Sequence, residues 1–333
     1  VSIPGALIAD YFDVPLAWFL GPMIVTSAVS LGGIKTKMPR LVLNGVLIVL
    51  GLYIGNYIDQ SLFSQIHQWV WTSLIMLAYI VVSVLLVSKY LQKFSGYEEK
   101  TSIFSAAPGA LGPLLILAED QKSDLSHVAT SHLIRLIIII TVFPFVVNSF
   151  YDQENIKLVE TIIEDQNISN LFILLALSIL LIIIFDKLKV PAALLAGTLV
   201  ASGLLQITEV ASYKLSSNII DYCLLILGSS VGCRFANKTF NEIAKNALHS
   251  FVATFFLVLL GIVAALVAGF VIDKNFFTLL LSYCPGGIYE VAVIAIFFDL
   301  DPEFVSFHHI IRLLIILFIV PIILRIITKK KPA

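Results

Sequence analysis

The residues near 170–186 form an almost unbroken run of Leu, Ile, Phe and Ala, and runs of this kind recur along the chain. A helix needs roughly 20 mainly apolar residues to cross the hydrocarbon core of a bilayer. Further segments of about that kind fall near 190–206, 218–233, 248–272 and 303–325, with an interrupted one at 275–300. An earlier set lies near 1–11, 15–33, 41–58, 68–90 and 127–150, with its interrupted member at 101–121. Composition agrees, since 59% of the residues are hydrophobic and 13% charged, about half the charged share of a soluble domain. The expectation is an all-α, polytopic transmembrane protein with the lipid bilayer as solvent. Twenty-one Lys and Arg against 22 Asp and Glu leave no basic surplus, so no nucleic-acid partner is expected.

The second constraint is a duplication. Placing each residue against the one 177 later pairs Gly51 with Gly228, Ser105 with Ser282, Pro108 with Pro285 and Gly109 with Gly286. The same offset pairs Asp124 with Asp301, His132 with His309, Arg135 with Arg312 and Pro144 with Pro321. Chance alignment of Leu-rich stretches matches Leu, not rare polar residues and Pro-Gly pairs. The expected organisation is a first membrane repeat over 1–150, its short opening segment 1–11 read as clipped, and a second repeat over 169–328. An acidic linker (Asp152, Glu154, Glu160, Glu164 and Asp165) over 151–168 separates them, with a short interfacial helix around Leu158 to Ile163, and a basic tail follows at 329–333.

Charge placement orients the copies. Cytoplasmic loops of membrane proteins carry an excess of Lys and Arg. With the C-terminus inside and five crossings per copy, 16 of the 21 cations fall inside, including Lys93 and Lys238. Only Lys157, Lys214 and Lys274 fall outside, and Arg135 and Arg312 lie within the membrane. Six crossings per copy would strand Arg234, Lys238 and Lys245 on the wrong face. Five crossings make the two repeats inverted.

The interrupted segments read Ser105-Ala-Ala-Pro108-Gly109-Ala110 and Ser282-Tyr-Cys-Pro285-Gly286-Gly287. Pro removes a backbone donor and Gly tolerates non-helical dihedrals. Each pair should end one half-helix and begin another, as a Pro-Gly-broken re-entrant hairpin. Irregular backbone at membrane depth persists only where it is buried or lines a cavity. Free amides at a half-helix N-terminus favour an anion, and broken segments at matching places in two halves point to a transporter's site.

A helix bearing Arg follows each break, with His132 and Arg135, and His309 and Arg312, at i, i+3 on one face. An intramembrane Arg is costly and faces the bundle interior. Two roles stay open for it: contact with a solute, or a clamp on the carbonyls of a neighbouring half-helix. The paired His could tune proton coupling or serve as satisfied polar helix residues. Asp221 stands where the first copy has Asn44, the kind of asymmetry an ion or proton site would show, and Glu290 stands opposite Pro113. The Gly51-x3-Gly55 and Gly228-x3-Gly232 pairs suit close helix contact. Three Cys and six His lack ligand spacing, so neither a metal nor a bound cofactor is expected.

These stretches carry a resemblance. Val14-Pro15 with Leu20-Gly21-Pro22, Gly51 to Gly55, Ala106-Ala107-Pro108-Gly109-Ala110 and His132 to Arg135 resemble the AbrB-type polytopic membrane family of bacteria. So do Val190-Pro191, Gly228 to Gly232, Cys284 to Gly287 and His309 to Arg312. The second copy departs at Glu290 and lacks a Leu-Gly-Pro after Val190-Pro191. The resemblance implies a duplicated membrane protein of the bacterial plasma membrane. The family is labelled both an ammonia monooxygenase and a regulator of gene expression. The first label needs a metal cluster that these His and Cys do not supply, and the second a soluble basic module for which there is no room.

The expected function is therefore a secondary transporter, elevator-like by analogy, for a small anionic organic solute, and not an enzyme. Ser105, Pro108, Gly109, Ala110, Arg135, Ser282, Pro285, Gly286, Gly287 and Arg312 would bind the solute. Asp221, Asn44, Glu290, His132 and His309 are the candidates for a coupling sodium ion or proton. A homodimer is expected by analogy with such carriers. The alternative is a membrane sensor that binds its ligand without moving it.

Overall fold

The structure is a computed structural model that describes residues 2–58, 61–109, 111–150, 168–210, 217–236 and 238–328. Ala110, residues 151–167 of the linker with its expected interfacial helix, and the basic tail lie outside the described residues, while Ile168 already belongs to the following helix. Among the described residues the regular elements are helices: α1 (Ser2–Tyr11), α2 (Ala17–Leu31), α3 (Arg40–Gly55), α4 (Ser61–Ser95), α5 (Glu99–Ala106), α6 (Leu111–Asp120) and α7 (Leu125–Phe150). They continue as α8 (Ile168–Lys187), α9 (Ala193–Ile207), α10 (Ser217–Cys233), α11 (Phe240–Ala268), α12 (Phe276–Tyr283), α13 (Ile288–Phe297) and α14 (Pro302–Thr328).

Five of them are long and apolar enough to cross a bilayer, over His67–Ser95, Leu125–Phe150, Ser169–Lys187, Asn246–Ala268 and Pro302–Ile327. On α8, Phe172, Ile179 and Leu180 are exposed, a surface that water would not tolerate and lipid does. The protein is an all-α, polytopic membrane protein.

The backbone repeats with the sequence. Elements α5 and α12 have eight residues each, α6 and α13 ten each. Even unusual dihedrals recur: positive φ at Asp13 and Lys189, at Leu16 and Ala192, and at Lys122 and Asp299.

The chain forms two compact units, each drawing on both copies. The first comprises Val1–Ile66, Phe143–Thr239 and Ala292–Phe304. Within it α3 packs on α9 and α10 on α2, so the glycine-bearing helix of each copy seats against the second helix of the other. A side chain at Gly51 would collide with Thr198, and one at Gly228 with the carbonyl of Phe19. Ser202 closes the first pair by donating to the Leu52 carbonyl at 3.0 Å. The glycines serve close helix approach, as their spacing suggests.

The second unit comprises His67–Val142, Phe240–Val291 and Val305–Ala333. It holds the first broken element whole, the Pro-Gly break of the second, and both Arg-bearing stretches. Helix α5 ends at Ala106 because Ala107 precedes Pro108, which disfavours the α region for it. Ala107 is accordingly extended (φ −61°, ψ 129°), and Cys284 before Pro285 repeats the geometry (φ −59°, ψ 131°). Lys100 Nζ donates to the Gln121 carbonyl at 3.2 Å, and the Asp124 amide to Thr101 Oγ1 at 3.1 Å. In a straight chain of these two helices those ends would stand about 27 Å apart at 1.5 Å per residue. Elements α5 and α6 therefore double back as a helical hairpin.

Candidate functional site

The site grows from the C-terminal carbonyls of α5 and α12. A half-helix that stops inside protein leaves carbonyls without intrahelical partners, and its dipole puts partial negative charge there. The chain answers with a cation two helices later, on α7 and on α14. Arg135 of α7 donates through Nη1 to Ala107 O at 2.6 Å and through Nη2 to Ser105 O at 2.5 Å. Arg312 of α14 donates through Nη1 to Cys284 O and through Nη2 to Gly286 O at 2.6 Å. One turn earlier, His132 Nε2 donates to Phe104 O at 3.0 Å and His309 Nε2 to Leu281 O at 2.9 Å. Both Arg and both His are buried. Of the two roles open to the arginines, the clamp is the one this geometry displays.

His309 is further constrained. Arg312 Nη2 lies 3.1 Å from its Nδ1, and since a guanidinium only donates, Nδ1 accepts. The ring is the neutral Nε2–H tautomer, with both nitrogens engaged.

Each break also meets the other copy. Gly109, at φ +110°, lies against the Arg312 guanidinium, so a Cβ there would stand 2.9 Å from Nη2. A Cβ on Gly286 would stand 3.3 Å from Ile139, one turn beyond Arg135 on α7. Arg135 and Arg312 are near enough to feel one another's charge, and both feel Tyr79. Glu290, in the first turn of α13, is buried, folds over Gly287 and acts electrostatically on Arg312.

Not every polar group here is satisfied. Ser282 Oγ returns to its own helix at Thr278 O, 2.8 Å away. Its counterpart Ser105 Oγ is fully buried with no hydrogen-bond partner, and Arg135 Nε and Arg312 Nε share that condition. Buried polar groups are overwhelmingly paired, so three orphans at the two breaks mark a place where a polar ligand would be stabilised.

Ser105, Pro108, Gly109, Arg135, Ser282, Pro285, Gly286, Gly287, Arg312, Glu290, His132 and His309 thus all belong to the second unit. Asp221 and Asn44 belong to the first, each on an exposed face of its helix. Asp221 lies near enough to Asp10 to be repelled by it. A second polar layer has no counterpart among the sequence candidates. Tyr283 OH donates to Thr72 O at 2.8 Å, Thr72 Oγ1 pairs with His308 Nε2 at 2.7 Å, and Tyr79 OH donates to Leu257 O at 3.3 Å. Thr72, Tyr79 and Ser83 form a buried polar stripe at helical spacing on α4, and that spacing was readable in the sequence.

Comparison with known proteins gives the lineage. A protein named "Uncharacterized protein YhjN" from Bacillus subtilis (strain 168) is 21% identical over 96% of this chain and 90% of its own length. One named "Putative regulator AbrB" from Escherichia coli (strain K12) is 24% identical over 96% of this chain and 92% of its own. The AbrB family, described as "Transition state regulatory protein AbrB", matches residues 18–328. With nearly its whole length matched, the breaks and their arginines included, the chain belongs to the AbrB family.

Proposed function

We propose that the protein is a secondary transporter, elevator-like in layout, for a small anionic organic solute held between the two broken elements. The observation that carries this reading is the trio of unpartnered buried groups, Ser105 Oγ, Arg135 Nε and Arg312 Nε. All three are donors, and two belong to permanent cations, a combination that favours an anion. The Pro108–Gly109 and Pro285–Gly286–Gly287 backbone supplies the irregular, side-chain-poor surface that lets a solute approach. Glu290 is the carboxylate placed to couple solute to a proton or sodium ion, because His309 has both ring nitrogens occupied.

In this reading each copy crosses the bacterial plasma membrane five times, the copies are inverted, and the hairpins enter from opposite faces. The C-terminus is cytoplasmic and the assembly is a homodimer, the last by analogy with elevator carriers. No catalytic step is assigned. The second reading, a membrane sensor, is favoured by one observation: the family description and the Escherichia coli relative's name both say regulator.

Counterflow of organic anions into proteoliposomes tests the proposal. Flux is expected with the wild-type chain and is expected to vanish in Arg135→Ala and Arg312→Ala. Because those arginines also hold backbone, Ser105→Ala provides the second arm. It removes no hydrogen bond from the fold, should leave thermal unfolding unchanged, and should weaken solute binding by about ten-fold. Folded protein that binds anions without flux would establish the sensor instead. Unaltered binding in Ser105→Ala would remove the site from the breaks.

A further inference from the structure

A second cluster of cations lies in the first unit. The turn after α2 and the end of α10 border an open cavity of about 510 Å³ lined by Lys35, Thr36, Lys37, Ser230, Cys233 and Arg234, among others. Three of the lining residues are cationic, two carry hydroxyls, and none is acidic. The turn is held in place: Ser30 Oγ donates to Thr26 O at 2.7 Å, lies 2.5 Å from Thr36 Oγ1 and 3.1 Å from Gly232 O. Gly33, at φ +91°, lets the chain reverse there. The wall is thus built by two helices from different copies and a pinned turn.

Its depth and surroundings identify the ligand. Helix α2 ends at Leu31, α3 begins at Arg40 and α10 ends at Cys233, so the cavity stands where three apolar helices give way to charge. In the crossing arrangement proposed above, that is the level of lipid phosphates. Beside the cations, Ile34 is 62% exposed and Leu41 85%, an apolar apron that free phosphate would leave bare and an acyl chain would cover. At the 177-residue offset Lys35 and Arg234 meet Ser212 and Tyr57, whereas Lys37 meets Lys214.

We infer that this cavity binds the phosphate headgroup of an anionic phospholipid, with Lys35, Lys37 and Arg234 as counter-charges. Basic pockets between membrane helices take anionic headgroups in this way, and each cation near such a surface contributes a few-fold in binding. The inference is independent of what the chain transports.

The test uses the full chain purified in a zwitterionic detergent, titrated with phosphatidylglycerol, phosphatidylcholine or inorganic phosphate, and read by native mass spectrometry and thermal unfolding. Phosphatidylglycerol is expected to be retained and to raise the unfolding temperature, whereas phosphatidylcholine is not. Lys35→Gln and Lys37→Gln should each weaken retention by about five-fold, with Lys35→Arg restoring it. Arg40→Gln removes a charge from the start of α3 without lining the cavity, and should leave retention unchanged. Equal retention of both lipids, or loss in Arg40→Gln as large as in Lys37→Gln, would overturn the site in favour of a diffuse basic surface. Equal stabilisation by inorganic phosphate would overturn the lipid as its source.

Discussion

Gly109 carries two demands that no other residue type meets together. Its φ of +110° costs an L-residue about 1–2 kcal/mol, and its Cα faces Arg312 so closely that a methyl would push the guanidinium off the Cys284 and Gly286 carbonyls. Gly96 separates the two effects, because it has φ +68° with nothing within 4 Å of a would-be Cβ. Gly96→Ala should lower stability by the dihedral cost alone. Gly109→Ala should cost at least about 1 kcal/mol more, through the unsatisfied carbonyls, and abolish any flux. Thermal unfolding of the two variants in one detergent checks this, and equal losses would show that Gly109 does not pack on Arg312. At this scale much was legible in the sequence. Arg135, Arg312 and the Pro-Gly pairs stood out because charge and broken backbone are rare in apolar runs. Tyr79 and Thr72 did not stand out, because a hydroxyl or phenol costs little in a membrane helix and announces itself only through spacing.

Among elements, α7 shows how a helix is started at a membrane edge. Asp124 Oδ1 accepts the His127 amide at 3.0 Å, and Oδ2 lies 2.7 Å from the His127 ring. Partial burial works to raise this carboxyl's pKa, but the hydrogen bonds and charge from His127 outweigh it and hold the group below the usual carboxylate range. A depressed folded-state value means that the cap is at full strength above the unfolded value, near 3.9, and fades as pH falls through the lower folded one. Amide exchange at the first turn of α7 should therefore quicken only below about pH 4. Asp124→Ala should bring that faster exchange to neutral pH at a cost of about 1 kcal/mol. Slow exchange in the variant at pH 7 would show that the start of α7 is held by packing. The helices themselves were readable from apolar runs, and the breaks from Pro-Gly. The pairing of α3 with α9 and of α2 with α10 was not, because small residues show that a helix can approach closely without saying which partner it approaches.

For the whole molecule, the 177-residue offset describes ancestry, whereas the compact units describe contact, and the two divisions differ. Each unit mixes both copies, which no reading along the chain reveals, since the contacts join stretches far apart in sequence. Orientation is the property that charge does address. If the copies are inverted, single cysteines placed at Lys93 and Lys238 in a chain freed of Cys223, Cys233 and Cys284 should label from the same, cytoplasmic side of sealed vesicles. Labelling from opposite sides would make the copies parallel and would send both hairpins in from one face.

The reciprocal seating of the glycine helices limits how such a protein can be divided or inherited. A lone copy would present a groove cut for a sibling it does not have, so each half is complete only as part of a pair. The joined chain keeps what two separate copies would have to find by collision, and it frees each copy to change without forcing the same change on the other. Lys35 and Arg234, which face Ser212 and Tyr57 in the other copy, and Glu290, which faces Pro113, are differences that two identical halves could never have held.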